Sequence, residues 1–215
     1  MVHEEKNMEK KIEALFTPWK IGNVEIKNRI VMAPMGGTCL FGFAEPNHWD
    51  EEAAKLILKV AQNNCGLIIP GIAVIRDVIG SKWLYQGEKK FTKLKEFMEQ
   101  IHATGAKLFV QITAGFGRSF AISGLTEMVY KNKLLRTALK PIIDVDRLTM
   151  APSASPNRWS DKVPSRAMTK KEIQDIIKAF GLVAKKCKDA GVDGVEVHAV
   201  HEGYLLDQFT LHYVN

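Results

Sequence analysis

The sequence predicts an α/β fold built around a parallel sheet. Four short apolar runs, "IVMAPM" (30–35), "GLIIPG" (66–71), "KLFVQI" (107–112) and "GVEVH" (194–198), are strand-length and nearly continuous, as strands covered on both faces are. Helix-period segments lie between them, and such alternation yields parallel strands joined by right-handed crossovers. Polar residues gather at the C-terminal ends of the runs, Gln111 and Thr113 at the third and His198 at the fourth. A (β/α) barrel and a doubly wound sheet both place ligands beyond strand ends, so the pattern leaves the two open.

Each element has its own local signal. Ahead of the first run, "WKIGNVEIK" predicts a small hairpin turning at Gly22-Asn23. Asp50 to Asn63 sets Ala54, Ile57, Val60 and Ala61 on one helical face. Lys90 to Thr104 does the same with Leu94, Phe97, Met98 and Ile101, and Gly105 supplies the stop. A third helix opens on the capping box Thr169-Lys-Lys-Glu172. It then carries Ile173, Ile176, Ile177, Phe180, Ala184 and Cys187 as one stripe down to Gly191. Residues 114–168 hold several prolines and only modest periodicity. They read as a long connection after the third strand, working as a lid or carrying small insertions.

Composition narrows the function classes. The 215 residues are 46% hydrophobic and 25% charged, the balance of a soluble globular protein, and no apolar run approaches the length of a membrane span. The opening "MVHEEKNMEKKIEALF" lacks the apolar core and cleavage site of a signal peptide. Cys39, Cys65 and Cys187 are too few and too scattered for a disulfide framework or metal cluster, so the expected compartment is a reducing cytoplasm. The net charge of +6 comes from lysines set among glutamates, as in "EKKFTKLKEFMEQ". That pattern is a solvated surface, and neither nucleic acid nor membrane is expected as a partner.

"GFGRSF" (115–120) offers G-x-G without a third glycine, which argues against a dinucleotide fingerprint. His198-x-x-His201-Glu202 matches neither zinc-protease order, and no metal is expected. What remains suits a flat, redox-active cofactor. "MAPMGG" ends its strand in small residues that allow backbone N–H groups close to a planar ring. Gln111 offers both donor and acceptor to a heterocycle edge. His198 and His201 can hold a carbonyl oxygen as charge develops on it, and Tyr204 can deliver a proton. Each residue also has a plain structural reading, Gln111 as a satisfied polar group and Tyr204 as a helix-packing ring.

"LFTPWKIGNVEIKNRIVMAPM", "GLIIPGIAV", "GAKLFVQI…GR", "APSASP", "AMTKKEIQDIIKAF" and "AGVDGVEVHAVHEGYLLDQF" occur here in the order in which the old yellow enzyme family carries them. The chain resembles that family of FMN-dependent ene reductases from about Leu15 to Phe209. "HAVHEGYLLDQF" and "TAGFGR" are most similar to the branch that includes 2,4-dienoyl-CoA reductases and bile-acid-inducible steroid enoate reductases. The resemblance implies a TIM barrel with FMN at its C-terminal face and NADH or NADPH as reductant. It implies reduction of the C=C bond of an α,β-unsaturated carbonyl, such as an enoyl-CoA or a steroid or bile-acid substrate. By position, Ala33, Pro34, Met35 and Gly36 would lie under or beside the isoalloxazine, Gly71 near its edge and Gln111 on its pyrimidine side. His198 and His201 would dock the substrate carbonyl over the ring, and Tyr204 would donate the proton.

Three departures stand out. The family pattern H-x-x-[HN]-G-Y is here H-A-V-H-E-G-Y, with Glu202 inserted. "QITAGFGR" is one residue longer than the usual Q-L-x-H-x-G-R and lacks its histidine. Gly36 stands where relatives often carry a threonine or cysteine, and Cys39 lies three residues on. A (β/α)₈ barrel typically takes about 250 residues, and four strands are present. Residues 1–215 are therefore expected to be the N-terminal half of an FMN-binding barrel, about its first four β/α units. The second half, with its flavin-facing arginine and phosphate loops, is absent. The 4Fe–4S and FAD of larger relatives would belong only to a longer chain. Unpaired strand edges lead to an expectation of self-association, or of closure by a missing C-terminal half. The competing reading is a truncated, non-catalytic remnant or interaction module of the same fold. An aldolase-type barrel is disfavoured because no strand-end lysine is available for a Schiff base.

Overall fold

A computed structural model describes residues 12–42, 48–201 and 203–215. The first strands form a two-stranded antiparallel ribbon, β1 (Trp19–Ile21) and β2 (Val24–Ile26), in the register Trp19↔Ile26. Gly22 takes φ +58° at the turn, where a side chain would be strained. Ile26, Leu67, Ile69 and Phe109 form a small cluster with Trp19 and Val24, so the ribbon covers the inner face of the sheet near the strand starts.

The parallel sheet follows. It contains β3 (Val31–Met32), β4 (Leu67–Ile68), β5 (Ala73–Val74), β6 (Lys107–Thr113) and β7 (Gly194–Val197). β3 pairs with β4, both β4 and β5 pair with one edge of β6, and β7 pairs with the other edge. β4 and β5 are thus two pieces of one strand position, and the strand positions run in sequence order. From Leu67 to Ala73 the chain takes six steps while β6 takes five, from Lys107 to Ile112. The extra residue is a bulge at Ile69–Ile72, next to Pro70, which has no N–H to give a ladder.

Between the strands lie the expected helices. α1 (Glu51–Gln62) is capped by Asp50, whose side chain accepts from Ala53 N at 2.9 Å, and it buries Ala53, Ala54, Ile57 and Ala61. α2 (Glu88–Ala103) starts two residues before the sequence suggested and buries Phe91, Leu94, Phe97, Met98 and Ile101. Residues 114–168 are more ordered than their weak periodicity suggested. They contain α3 (Gly124–Lys131), α4 (Lys133–Leu139) and α5 (Val145–Leu148), each opened by a side-chain cap from Ser123, Asn132 and Asp144. Val129, Val145 and Val163 give this excursion its own small core. Buried Arg147 ties it back by donating to the carbonyls of Asp77 (2.9 Å) and Val78 (3.3 Å).

α6 (Lys170–Asp189) has the predicted capping box. Glu172 N donates to Thr169 Oγ1 at 3.2 Å and Thr169 N to Glu172 Oε2 at 2.8 Å. Its buried stripe is Ile176, Ala179, Val183 and Cys187, and this corrects the sequence reading: Ile177 is 58% exposed. Ile177 lies one residue, about 100°, off the stripe axis. A last turn, α7 (Leu205–Gln208), follows β7.

One large core fills the space between sheet and helices. Leu108, Val110 and Ile112 point into it, while Phe109 points to the opposite face. Among the described residues, β3 and β7 each pair along one edge only. Val31 on β3 (41% exposed) and Val195 and Val197 on β7 (38% and 50%) stay uncovered. No helix among the described residues is long and apolar enough to cross a membrane.

Candidate active site

A cavity of about 790 Å³ opens at the C-terminal ends of the strands. Pro34, Met35 and Gly36 line it from the turn after β3, Gly71 from the bulge, Gln111 from β6, and His198, His201 and Tyr204 from the segment after β7. Eight of the nine residues singled out from the sequence therefore meet on one wall system. Ala33 is the exception, exposed and outside the lining. A second cavity of about 680 Å³ lies along the excursion, but its arginines are engaged, Arg136 with Asp146 and Arg166 with Glu172.

The floor is fixed by close backbone approach. Thr38 Oγ1 donates to Met35 O (2.8 Å) and accepts from Gly71 N (2.8 Å), pinning the 35–38 turn against the bulge. A Cβ at Gly71 would stand 2.3 Å from Met35 O and 2.5 Å from Cys39 Sγ, so only glycine fits. Cys39 also lines the cavity, and burial, with the Asp50 carboxylate adding to it, pushes its thiol pKa up. It is a protonated thiol at neutral pH. Cys187 is pushed up to about 12 by burial, and all three cysteines are free and buried.

The β7 side carries the proton chemistry. His198 extends the ladder, its N–H donating to Ile112 O at 2.9 Å. Its ring centroid lies 5.1 Å from that of His201 and 5.4 Å from Tyr204, while His201 and Tyr204 are 4.7 Å apart. Phe116 meets Tyr204 edge-on at 4.8 Å. His198 is 8% exposed and its Nδ1 is buried without a hydrogen-bond partner. Burial, then the neighbouring His201, lowers its pKa, so it is neutral at pH 7.

Glu202, the inserted residue, lies outside the described residues, but the bonds on either side of it are clear. Asp207 Oδ2 accepts from His201 N (2.7 Å) and Gly203 N (2.8 Å), closing the loop around the insertion. Gly203 takes φ +79°. Gln208, fully buried, donates through Nε2 to Gly203 O (2.7 Å) and Phe116 O (3.0 Å), and Ser119 Oγ donates to Gly203 O (2.8 Å). His201 and Tyr204 thus both face the cavity with His198. Sequence reasoning missed Cys39, Phe116 and Glu196 in the lining, and it missed the Asp207-Gln208 pair that holds the loop.

A planar three-ring cofactor fits this arrangement. The volume lies in the usual range for ligand pockets, a Cβ at Gly36 would meet nothing within 4 Å, and Gln111 and His198 supply convergent polar groups. The family described as NADH:flavin oxidoreductase / NADH oxidase matches residues 14–215. The chain is 35% identical over 217 residues to the cinnamate reductase of Clostridium sporogenes, covering 97% of this chain and 29% of that protein. It is 32% identical over 206 residues to an NADPH dehydrogenase of Bacillus velezensis, covering 91% of this chain and 50% of that one. The chain thus spans half or less of the length of these relatives. The solved structure of the old yellow enzyme homologue from Zymomonas mobilis matches with a TM-score of 0.65 at 25% identity, over 94% of this chain and 52% of its own. Morphinone reductase in complex with tetrahydroNAD, at 23% identity and a TM-score of 0.64 over 94% of this chain and 53% of its own, shares the fold. The chain belongs to the NADH:flavin oxidoreductase / NADH oxidase family.

Proposed function

We propose that this chain forms the first half of the active site of an FMN-dependent ene reductase, and that its strands are the first four of an eight-stranded barrel. The meeting of His198, His201 and Tyr204 on a wall shared with Gln111 and Gly71 carries this reading. The sequential strand order, with β3 and β7 each open on one edge, supports the half-barrel. FMN, when bound, would supply the redox chemistry, accepting a hydride equivalent from NADH or NADPH and yielding it to the β-carbon of a conjugated C=C bond. Gln111 would hold the pyrimidine edge, with Pro34 to Gly36 and Gly71 flanking the ring.

Neutral His198, with His201 beside it, would take the substrate carbonyl oxygen and stabilise the charge that grows there. Tyr204 would give its hydroxyl proton to the α-carbon, completing net addition of H₂ across the double bond. An enoate, an enoyl thioester or a steroid enone meets these requirements, and the likeness to a cinnamate reductase supports the enoate. A second reading has its own support. The uncovered Val195 and Val197 suit a non-catalytic module that pairs its open edge with another chain.

In the FMN-loaded protein, Tyr204→Phe should slow substrate reduction about 10²–10⁴-fold while leaving flavin reduction by NAD(P)H nearly unchanged. His198→Ala should weaken the charge-transfer band given by phenolic ligands. Equal slowing of both half-reactions, together with unchanged ligand titrations, would return these residues to a structural role.

A further inference from the structure

Among the described residues, Glu196 is the one carboxylate on the cavity wall, and nothing in the reaction above uses it. It sits directly across the ladder from Gln111 in the β6–β7 register, and Gln111 Nε2 donates to its Oε1 at 2.5 Å. Both residues line the cavity, and Gln111 is 7% exposed. Among the described residues, Glu196 makes no ion pair, so its carboxylate is committed to this amide.

We propose that Glu196 is a positioning residue that locks the Gln111 amide with its carbonyl oxygen, rather than its NH₂ group, presented as the free acceptor to the cavity. It thereby selects a ring edge that carries an N–H. This rests on the reading that the cavity takes a flavin, whose pyrimidine ring offers such an N–H at N3. The chemistry leaves little choice. A glutamine amide can turn over with almost no change of shape, and its two ends are told apart only by what they face. An ionised carboxylate only accepts, so the amide nitrogen must face Glu196, and the charge strengthens that bond. The reversed amide would set two oxygens against each other at hydrogen-bond distance. The four register pairs from Phe109↔Gly194 to Ile112↔Val197 hold the two side chains adjacent whatever the ligand does. A pocket so built rejects a ring edge that lacks the donor, because the oxygen would then be buried without a partner.

The test uses lumiflavin and 3-methyllumiflavin, which lack the ribityl phosphate and differ at N3 alone, titrated against the 215-residue chain by fluorescence quenching. The wild type should prefer lumiflavin on the order of tenfold. Glu196→Gln should bring the two within about twofold, since either amide end then finds a partner. The exchange Gln111→Glu with Glu196→Gln should restore the preference, because position 111 again shows the cavity an oxygen. A preference left intact in Glu196→Gln overturns the proposal. The ligand-free protein gives an independent readout. The two Gln111 side-chain N–H resonances should be split more widely than those of a free glutamine amide in ¹⁵N-labelled wild type, the bonded proton moving downfield, and should return towards the ordinary separation in Glu196→Gln. Weak binding is expected of a cavity without phosphate contacts, so wild type that binds neither flavin even at the flavins' solubility limit but keeps that split overturns the flavin reading and leaves the orientation of Gln111 standing. A separation no wider than that of a free glutamine amide in wild type overturns the orientation itself.

Discussion

Gly71→Ala is the sharpest single perturbation of this fold. The added methyl would stand 2.3 Å from Met35 O and 2.5 Å from Cys39 Sγ, contacts that Cβ atoms do not make. The sulfur could turn away, but the carbonyl belongs to the backbone and cannot. Relief must come from moving the 35–39 turn off the bulge. That stretches the bonds from Gly71 N to Thr38 Oγ1 (2.8 Å) and Thr38 O (3.2 Å). Overpacking of this kind costs ~1–3 kcal/mol and a lost hydrogen bond ~1 kcal/mol, giving about 2–4 kcal/mol together. Urea unfolding followed by tryptophan fluorescence would read this as a lowered midpoint with an unchanged slope. Adding Cys39→Ala removes only the sulfur contact, so it should recover less than half of the loss. A Gly71→Ala protein within about 0.5 kcal/mol of wild type would refute the reasoning, as would full rescue by Cys39→Ala.

The Arg166–Glu172 pair makes stability depend on acid. Hydrogen bonds from Arg166, then from Thr169, lower the Glu172 carboxyl to about 2, so its contribution is present above the unfolded value near 4.5 and is lost as pH falls from there towards 2. Solvent screening of this surface pair holds its contribution to ~1 kcal/mol, well below the unscreened equivalent of the shift, and Glu172→Gln should flatten the stability curve across that window. Asp207→Ala should strand the His201 and Gly203 amides at a cost of about 2–4 kcal/mol, seen as faster hydrogen exchange at those two positions. The 215-residue chain expressed alone should purify colourless and run larger than a monomer. Among the described residues, the cavity lining offers no lysine or arginine to a phosphate, and two strand edges lie open. A yellow monomer holding stoichiometric FMN would contradict the half-barrel.

The strands and the three long helices were legible because each has a strong local cause. The runs at 107–112 and 194–198 are nearly unbroken, and Thr169 and Glu172 spell a capping box that the structure forms. The stripe of α6 was partly misread, because Ile177 looks like core by type while Ala179 and Val183 carry the burial. Weak periodicity hid α3 to α5, although Ser123, Asn132 and Asp144 are ordinary cap residues that a search for helix starts would have flagged. At the site, the residues that touch the cavity were readable by chemical type and by resemblance. Those that hold them in place were not. Asp207 and Gln208 act across gaps of four to ninety-two residues, from Gly203 to Phe116, and such partners appear only once the chain is folded. Glu196 escaped notice for the same reason, since its role comes from register with β6.

The bulge between β4 and β5 also shifts the phase of the chain. Before it, Leu67 and Ile69 face the ribbon side and Ile68 the helices; after it, Ala73 and Ile75 have come round to the helix side. One extra residue has exchanged odd for even. Removing one residue from 69–72 would take out the bulge and leave five steps on both strands, so Ala73 would still pair with Ile112 and stay in the helix-side core. A strand that kept every residue but lost the bulge would instead turn them over: Ala73 and Ile75 would leave the helix-side core, and Arg76, which donates to Ser81 O and lies 4.6 Å over Trp83, would be driven into it. The extra residue is thus an offset that the sheet itself does not need, and what it brings is Gly71 against Met35 and Thr38 at the cavity floor.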